Sequence, residues 1–324
     1  MQAAFVVLLA LLIGTGGTTV PVSTRILRAG DSHALDVPSF RFYGMAQTDK
    51  EGDLYFHVEA GSYRKPVILK LARSTGDPTL YTLADGDQNN IVFAEFSVTP
   101  SGQVVILGMG KDGKNYAIHF STKGAATTKT LLELPEHMSI GSFVAFESGT
   151  MLVSAFYLPD APEELRGKSF MSFFNDSGKL VRKFDGELGE VDLKTAFQHA
   201  REGDSAIGPD GNLYLLTANK ILVISESGEI VRRLKYQKPE NRIAGKIAVS
   251  HNLIAIWMLK EGAKHEISSE YLVLDLFTGK PFGFYVPAEE LGKFAVALSF
   301  SNEEGFTFFD NDNGHIKLIS APLR

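Results

Sequence analysis

The chain of 324 residues contains no cysteine and a single tryptophan. Without cysteine there is no disulfide, no thiolate nucleophile, no Cys-ligated metal and no acceptor for lipoprotein acylation. Such a chain depends on its core, and about 300 residues suffice to bury one. A strong excess of one charge is missing too: 32 Lys and Arg stand against 38 Asp and Glu, for a net charge of −6. At an isoelectric point near 5.8 there is no basic surface to release counterions, which excludes nucleic acid as a partner. Hydrophobic residues make up 44% and charged residues 22%, with mean hydropathy +0.00. That balance excludes both a disordered chain and a multi-span membrane protein.

One apolar run is present. Ala3 to Ile13 is followed by small residues from Gly14 to Thr19, and no charge occurs before Arg25. This is the layout of a secretory signal, although Lys and Arg are missing from its start and no A-x-A marks a cleavage site. It predicts a signal peptide over residues 1–23, or an N-terminal anchor if uncleaved. The mature chain, 24–324, is then periplasmic or extracellular and has no membrane span.

The remainder is organised by repetition. The clearest unit, Ser205 to Leu234, contains four short β-rich runs: Ser205-Ala206-Ile207, Leu213-Tyr214-Leu215-Leu216, Ile221-Leu222-Val223-Ile224 and Ile230-Val231-Arg232-Arg233-Leu234. Pro209-Asp210-Gly211-Asn212 and Ser225-Glu226-Ser227-Gly228 supply turn chemistry between them, and Asp210-Gly211 predicts a type I′ hairpin. A first-turn glycine recurs at Gly52, Gly102, Gly149, Gly211 and Gly305, with His251-Asn252 taking its place in the fifth unit. A second-turn glycine recurs at Gly76, Gly124, Gly178, Gly228 and Gly279, at spacings of 48, 54, 50 and 51. Six first turns and five second turns leave the last unit one strand short. Thr24 to Arg28 is the unassigned β-like segment that would complete it and close a ring, removing exposed sheet edges. The expectation is all-β: a six-bladed β-propeller of four-stranded antiparallel blades, a single domain over 24–324, with 23 Phe and 10 Tyr filling the blade interfaces. Within the longest connection, Asp185 to Gly203, residues Leu193 to Arg201 suggest a short helix.

Pro209-Asp210-Gly211-Asn212-Leu213-Tyr214, with Ile221-Leu222-Val223-Ile224 and Ser227-Gly228, resembles a blade of the NHL and TolB-like six-bladed propellers. The resemblance extends as a pattern over roughly residues 24–324. It is structural and implies no catalytic residue.

The tight glycine turns would leave one face of such a ring smooth. Longer links at Ala60 to Lys65, Gly108 to Lys114, Tyr157 to Lys168 and Leu259 to Ser268 would gather on the other face, where function usually sits. Arg41, Asn90, Glu95, Arg201, Asp204 and Arg242 precede or begin innermost strands and form the candidate ligand-binding set, together with Asp85, Asp87 and Asn89. No catalytic, cofactor or metal residue is assigned. Asp310 to Gly314 fails the EF-hand pattern and reads as a hairpin turn. No histidine pair stands in a zinc-helix frame, and His57 and His119 suit blade packing rather than the channel. Arg232, Arg233, Lys235, Lys238, Arg242 and Lys246 are expected on the outer edge of blade four, guarding a strand edge. Two functions are open: a binding scaffold for an extracytoplasmic protein or polysaccharide, and a lactonase-like hydrolase or lyase holding Ca or Zn in the channel. The first is favoured, since no acid or histidine recurs at equivalent inner-strand positions.

Overall fold

The computed structural model describes residues 24–323 except 36–39, 61–65, 74, 84–89, 167, 185–204, 218, 238, 241, 262–266, 292–298, 302–304 and 313–314. It is a ring of six β-sheets, the propeller expected. Blade one runs Phe40–Thr48, Leu54–Ala60, Pro66–Leu71, Pro78–Tyr81, and blade two runs Ile91–Val98, Val104–Gly110, Asn115–Phe120, Ala126–Leu131. Blade three runs Met138–Ala145, Met151–Tyr157, Ser169–Phe174, Leu180–Lys183, and blade four runs Ser205–Ile207, Leu213–Leu216, Lys220–Ile224, Ile230–Lys235. Blade five runs Arg242–Val249, Leu253–Glu261, Ile267–Asp275, Pro281–Pro287. Blade six has Ser299–Ser301, Gly305–Asp312 and His315–Ala321 from the C-terminal end. Each blade's first strand is innermost and touches the innermost strand of the next, and the sixth returns to the first.

Two N-terminal strands complete the ring, not one. Ser32–Leu35 pairs antiparallel with His315–Ala321 and is the outer strand of blade six. The expected segment instead lies parallel to the outer strand of blade five, with Thr24 opposite Phe284 and Leu27 opposite Pro287. Burial explains the placement. Leu27 is 1% exposed in the core between blades five and six, and its carbonyl accepts the Ala288 N–H at 2.8 Å. Ser-His-Ala-Leu has no β-branched residue, so it gives little strand signal of its own.

All ten glycines of the two turn series have positive φ. At Gly211 the type I′ expectation fails, because Asp210 does not share the positive φ that such a turn requires of both central residues. Gly211 N–H bonds Gly208 C=O at 2.9 Å, and Gly208 N–H bonds Asn212 C=O at 2.9 Å, giving a turn that ends in a left-handed glycine. The second-turn series has a further duty. A Cβ at Gly178 would lie 1.9 Å from the Leu131 carbonyl oxygen, and one at Gly124 would lie 2.1 Å from that of Leu80. These turns press onto the outer strand of the preceding blade, where only glycine fits.

The core is a set of layers between blades. Tyr55, Tyr81 and Phe120 meet between blades one and two, and Tyr271 packs on Phe306 at 4.5 Å between blades five and six. Aromatic contacts of this kind add to the burial of apolar area. Polar staples also join the blades near the axis. The Gln47 amide donates to Phe96 C=O at 2.7 Å and accepts from Val98 N–H at 2.8 Å, and Ser97 Oγ accepts Ala145 N–H at 2.8 Å.

Candidate functional site

Innermost strands in a propeller are crowded at the axis, yet four of these carry irregularities. The register slips between Tyr43 and Gln47, Phe93 and Glu95, Ile140 and Ser142, and Ala244 and Lys246. A β-bulge bends its strand and re-aims the adjacent side chain. The bulged positions hold small residues: Gly44, Ala94, Gly141 and Gly245. Their aligned slips bring the chain past the blade core and hollow out the centre of the ring.

The resulting cavity measures about 440 Å³ and is lined by all six innermost strands. Its charged residues among those described are Glu95 on blade two and Lys246 on blade five, both half-buried. Ser142, Ser205 and Ser299 add hydroxyls. His57 also lines the wall, stacked on Phe93 with ring centroids 3.9 Å apart and planes 25° from parallel. The Glu95 carboxylate accepts the Phe96 N–H at 3.2 Å, which fixes its direction along the strand. Below lies a second cavity of about 130 Å³ among the first turns, with Asp49, Lys50, Arg73 and His251 at its rim. Both cavities share Thr48, Val98, Ile207, Val249, Ser299 and Phe300, a belt that narrows the channel between the two chambers.

The expected site residues divide clearly. Glu95 lines the central cavity. Asn90 is an exposed turn residue whose carbonyl accepts the Lys111 N–H at 3.0 Å. Arg242 does begin an innermost strand, but its guanidinium is engaged by Glu270, with Nε to Oε2 at 2.8 Å. Glu270 is 3% exposed, and Lys260 approaches it at 3.6 Å, so Arg242 neutralises a buried carboxylate within its own blade. Arg41 lies on the first strand of blade one, with its side chain outside the described residues, as are Asp85, Asp87, Asn89, Arg201 and Asp204. So is the proposed helix from Leu193 to Arg201.

Two other expectations are corrected, and the placement of Arg232 holds. Lys246 belongs to the channel, not to the outer edge of blade four, because it follows a bulge on an innermost strand. Arg232 on that outer edge is tied down: it donates to Tyr214 Oη at 2.8 Å and to Leu276 C=O at 3.2 Å. The links expected to be long are shorter where strands extend. Blade two turns between Gly110 and Asn115, and blade five pairs as far as Glu261 with Ile267. Leu158 to Lys168 is a long link in the structure, and there His137 bonds Asp160 at 2.9 Å. Asp310 to Asp312 end a strand that pairs with the next, Asp312 opposite His315, and Asn313 and Gly314 lie outside the described residues.

His57 and Lys246 are the residues the sequence reading misplaced, and a signal for the bulges was present. Gly44, Ala94, Gly141 and Gly203 each precede their first-turn glycine by eight positions, as Ala297 precedes Gly305. Gly245 precedes Asn252 by seven. The residues that follow are Met45, Glu95, Ser142, Asp204, Lys246 and Leu298, one per blade. Among the described residues no group of three or more His, Asp or Glu is placed to hold a metal ion.

No family model and no curated protein matches the sequence. Solved structures do resemble it in fold. Regucalcin, a calcium-binding protein from Agrobacterium tumefaciens strain C58, has 13% identity and a TM-score of 0.50, covering 93% of this chain and 97% of that one. A luciferin-regenerating enzyme has 9% identity and a TM-score of 0.49, covering 90% and 97%. A protein of unknown function from Bacteroides caccae has 13% identity and a TM-score of 0.42, covering 84% and 82%. At these identities the likeness is one of fold, and fold alone does not carry function.

Proposed function

We propose that the chain is a secreted binding propeller of the NHL or TolB-like kind. A polar ligand, part of an extracytoplasmic protein or polysaccharide, enters the central channel from the loop-bearing face. The supporting observation is the cavity of about 440 Å³ at the convergence of six innermost strands. Its size lies within the roughly 300–1,000 Å³ of small-molecule sites, and its apolar wall with a few placed polar groups is the usual composition of one. Secretion rests on the apolar run Ala3 to Ile13, and a mature N-terminus between Thr18 and Arg25 is the expected mass-spectrometric result.

Peptide and glycan arrays probed with the mature protein test the binding reading. Ala94 is exposed at the cavity wall, so Ala94→Trp occludes the channel without entering the core. Capture of an array ligand is expected to be lost in Ala94→Trp and kept in Arg233→Ala, on the outer strand of blade four. The reverse pattern would move the site to the outer edge.

A further inference from the structure

The second turn of blade five differs from its counterparts. It reads Asp275-Leu276-Phe277-Thr278-Gly279-Lys280-Pro281-Phe282, with Phe277 two residues before the glycine. The same position in the other turns holds Ser74, Thr122, Asp176 or Glu226, all polar. Phe277 is 61% exposed and Phe282 46%, and Ile26, on the strand added to this blade's edge, is 61% exposed. Single exposed apolar residues are ordinary, but three on one rim, two of them flanking one turn, form a patch. The patch reaches blade four, because a Cβ at Gly279 would lie 3.2 Å from that of Leu234.

Cations frame the aromatic rings. The Arg25 guanidinium lies 5.8 Å from the Phe282 ring centre and donates to Tyr285 Oη at 3.3 Å. Arg232 lies 5.9 Å from the Phe277 ring centre, although Asp210 at 3.7 Å shares its charge. Lys280 is exposed within the turn itself. The acid of the turn, Asp275, is held inward by the N–H groups of Phe277 and Thr278 and by the Thr278 hydroxyl at 2.6 Å. Apolar side chains with Arg and Lys heads beside them suit a boundary between hydrocarbon and charged headgroups.

The chain also enters the fold at this rim. Thr24 pairs with Phe284, two residues beyond Phe282. Residues 1–23 hold no charged side chain, so their placement leaves the charge of the rim unchanged. Ten residues separate the apolar run Ala3 to Ile13 from Thr24, and ten extended residues span at most about 35 Å. On the secretion reading, a run lodged in the membrane keeps this rim near the bilayer.

We propose that the rim of blade five docks the propeller edge-on against an anionic lipid bilayer. Phe277, Phe282 and Ile26 lie at the acyl boundary, and Arg25 and Lys280 lie among the headgroup phosphates. Binding then draws on apolar burial and on attraction to anionic lipid together. A second copy of the chain fits less well, since a two-fold contact through this rim sets the same cations against one another. Docking by the circumference leaves the mouths of the channel open, so it does not depend on the channel-binding reading.

The experiment is co-sedimentation of the mature protein with vesicles of phosphatidylcholine alone and of phosphatidylcholine mixed with phosphatidylglycerol. Binding to the mixed vesicles is expected, falling with added salt and about tenfold weaker on the neutral ones. Phe277→Ser with Phe282→Ser should weaken binding to mixed vesicles roughly tenfold while the melting temperature holds. Arg25→Gln with Lys280→Gln should remove the preference for phosphatidylglycerol. Leu180→Ser with Val181→Ser, on the outer strand of blade three, replaces exposed apolar residues elsewhere and should change nothing. Failure to bind either vesicle would overturn the proposal, as would equal binding to both, or a blade-three pair as damaging as the phenylalanine pair. A dimer seen by sedimentation equilibrium, dissociated by Phe277→Ser with Phe282→Ser and without affinity for vesicles, would overturn it in favour of a second copy.

Discussion

Glu95 and Lys246 sit on the same rung of opposite blades, one residue after a bulge in each case. The bulge keeps both side chains from packing into a blade interface as their neighbours do, since Ile106 and Ile247 on the adjoining rungs are buried. It therefore creates the cavity and places the charges in one step. Filling the bulge is the way to undo both. Gly245 lies with its would-be Cβ 2.7 Å from the Trp257 ring, so Gly245→Val should push the indole or the strand aside. Overpacking of this kind costs typically 1–3 kcal/mol, and the expected result is a lowered denaturation midpoint together with lost ligand capture.

The turn glycines offer a cleaner separation of causes. Gly178 and Gly211 both have positive φ, so alanine at either carries a conformational penalty of roughly 1 kcal/mol. Gly211 has nothing within 4 Å of its would-be Cβ, whereas at Gly178 the Leu131 carbonyl oxygen lies 1.9 Å away. Gly178→Ala should therefore destabilise well beyond Gly211→Ala in urea unfolding. Equal losses would mean that the turn of blade three does not press on blade two.

Ring closure makes a prediction about the N-terminal region. A chain beginning at Arg28 loses Leu27 from the core between blades five and six, worth about 2–3 kcal/mol for a buried leucine. A chain beginning at Asp36 also loses Ser32–Leu35 and exposes the edge of blade six. The second truncation should be much the less stable, as measured by thermal unfolding and by aggregation. Indistinguishable truncations would contradict closure through Ser32–Leu35.

The Gln47 amide spans blades one and two through Phe96 C=O and Val98 N–H. Gln47→Leu leaves both backbone groups unbonded near the axis, which should cost about 1–3 kcal/mol. Gln47→Glu keeps the acceptor for Val98 N–H and loses the donor to Phe96, so it should preserve part of the stability. Chemical denaturation of the two variants checks the order.

Stability should also fall on mild acidification. Burial holds the His119 imidazole below its ordinary value of 6.5, against a weaker upward pull from Asp176. The folded state then binds its proton less readily than the unfolded chain, so this contribution is present above about pH 6.5 and is lost as pH falls below it. His119→Gln should flatten that slope in a series of melts from pH 7 to pH 5. An unchanged slope would assign it elsewhere.

Much of this architecture was legible in the sequence, for a physical reason. Positive φ demands glycine, so the turn series at Gly52, Gly102, Gly149, Gly211 and Gly305 punctuates the chain at nearly every blade; the fifth blade departs from it, since Asn252 has no positive φ and the turn is closed by Ser250 N–H on Leu253 C=O at 2.9 Å. The strands at the N-terminal end were harder, because Leu27 finds its place through tertiary burial and Ser32–Leu35 through edge pairing, neither of which is a local signal. Of the candidate site, Glu95 was legible as an acid on an innermost strand. Arg242 looked equivalent, but its partner Glu270 lies 28 residues along the chain and two strands away. Lys246 and His57 were misplaced because two-residue alternation assigns a strand's faces only while the register holds, and each lies beside an inner-strand slip. The small residue that marks each slip is visible only when the six units are aligned on their turns.

The central claim is that the channel, not the outer surface, is where the ligand sits. Photo-crosslinking of a captured ligand bearing a diazirine, followed by peptide mass spectrometry, tests this most directly. The account predicts adducts on the innermost strands, at residues 93–96 and 246–248, and their loss in Ala94→Trp. Adducts confined to the outer strand of blade four, Ile230–Lys235, with the channel unlabelled, would contradict it.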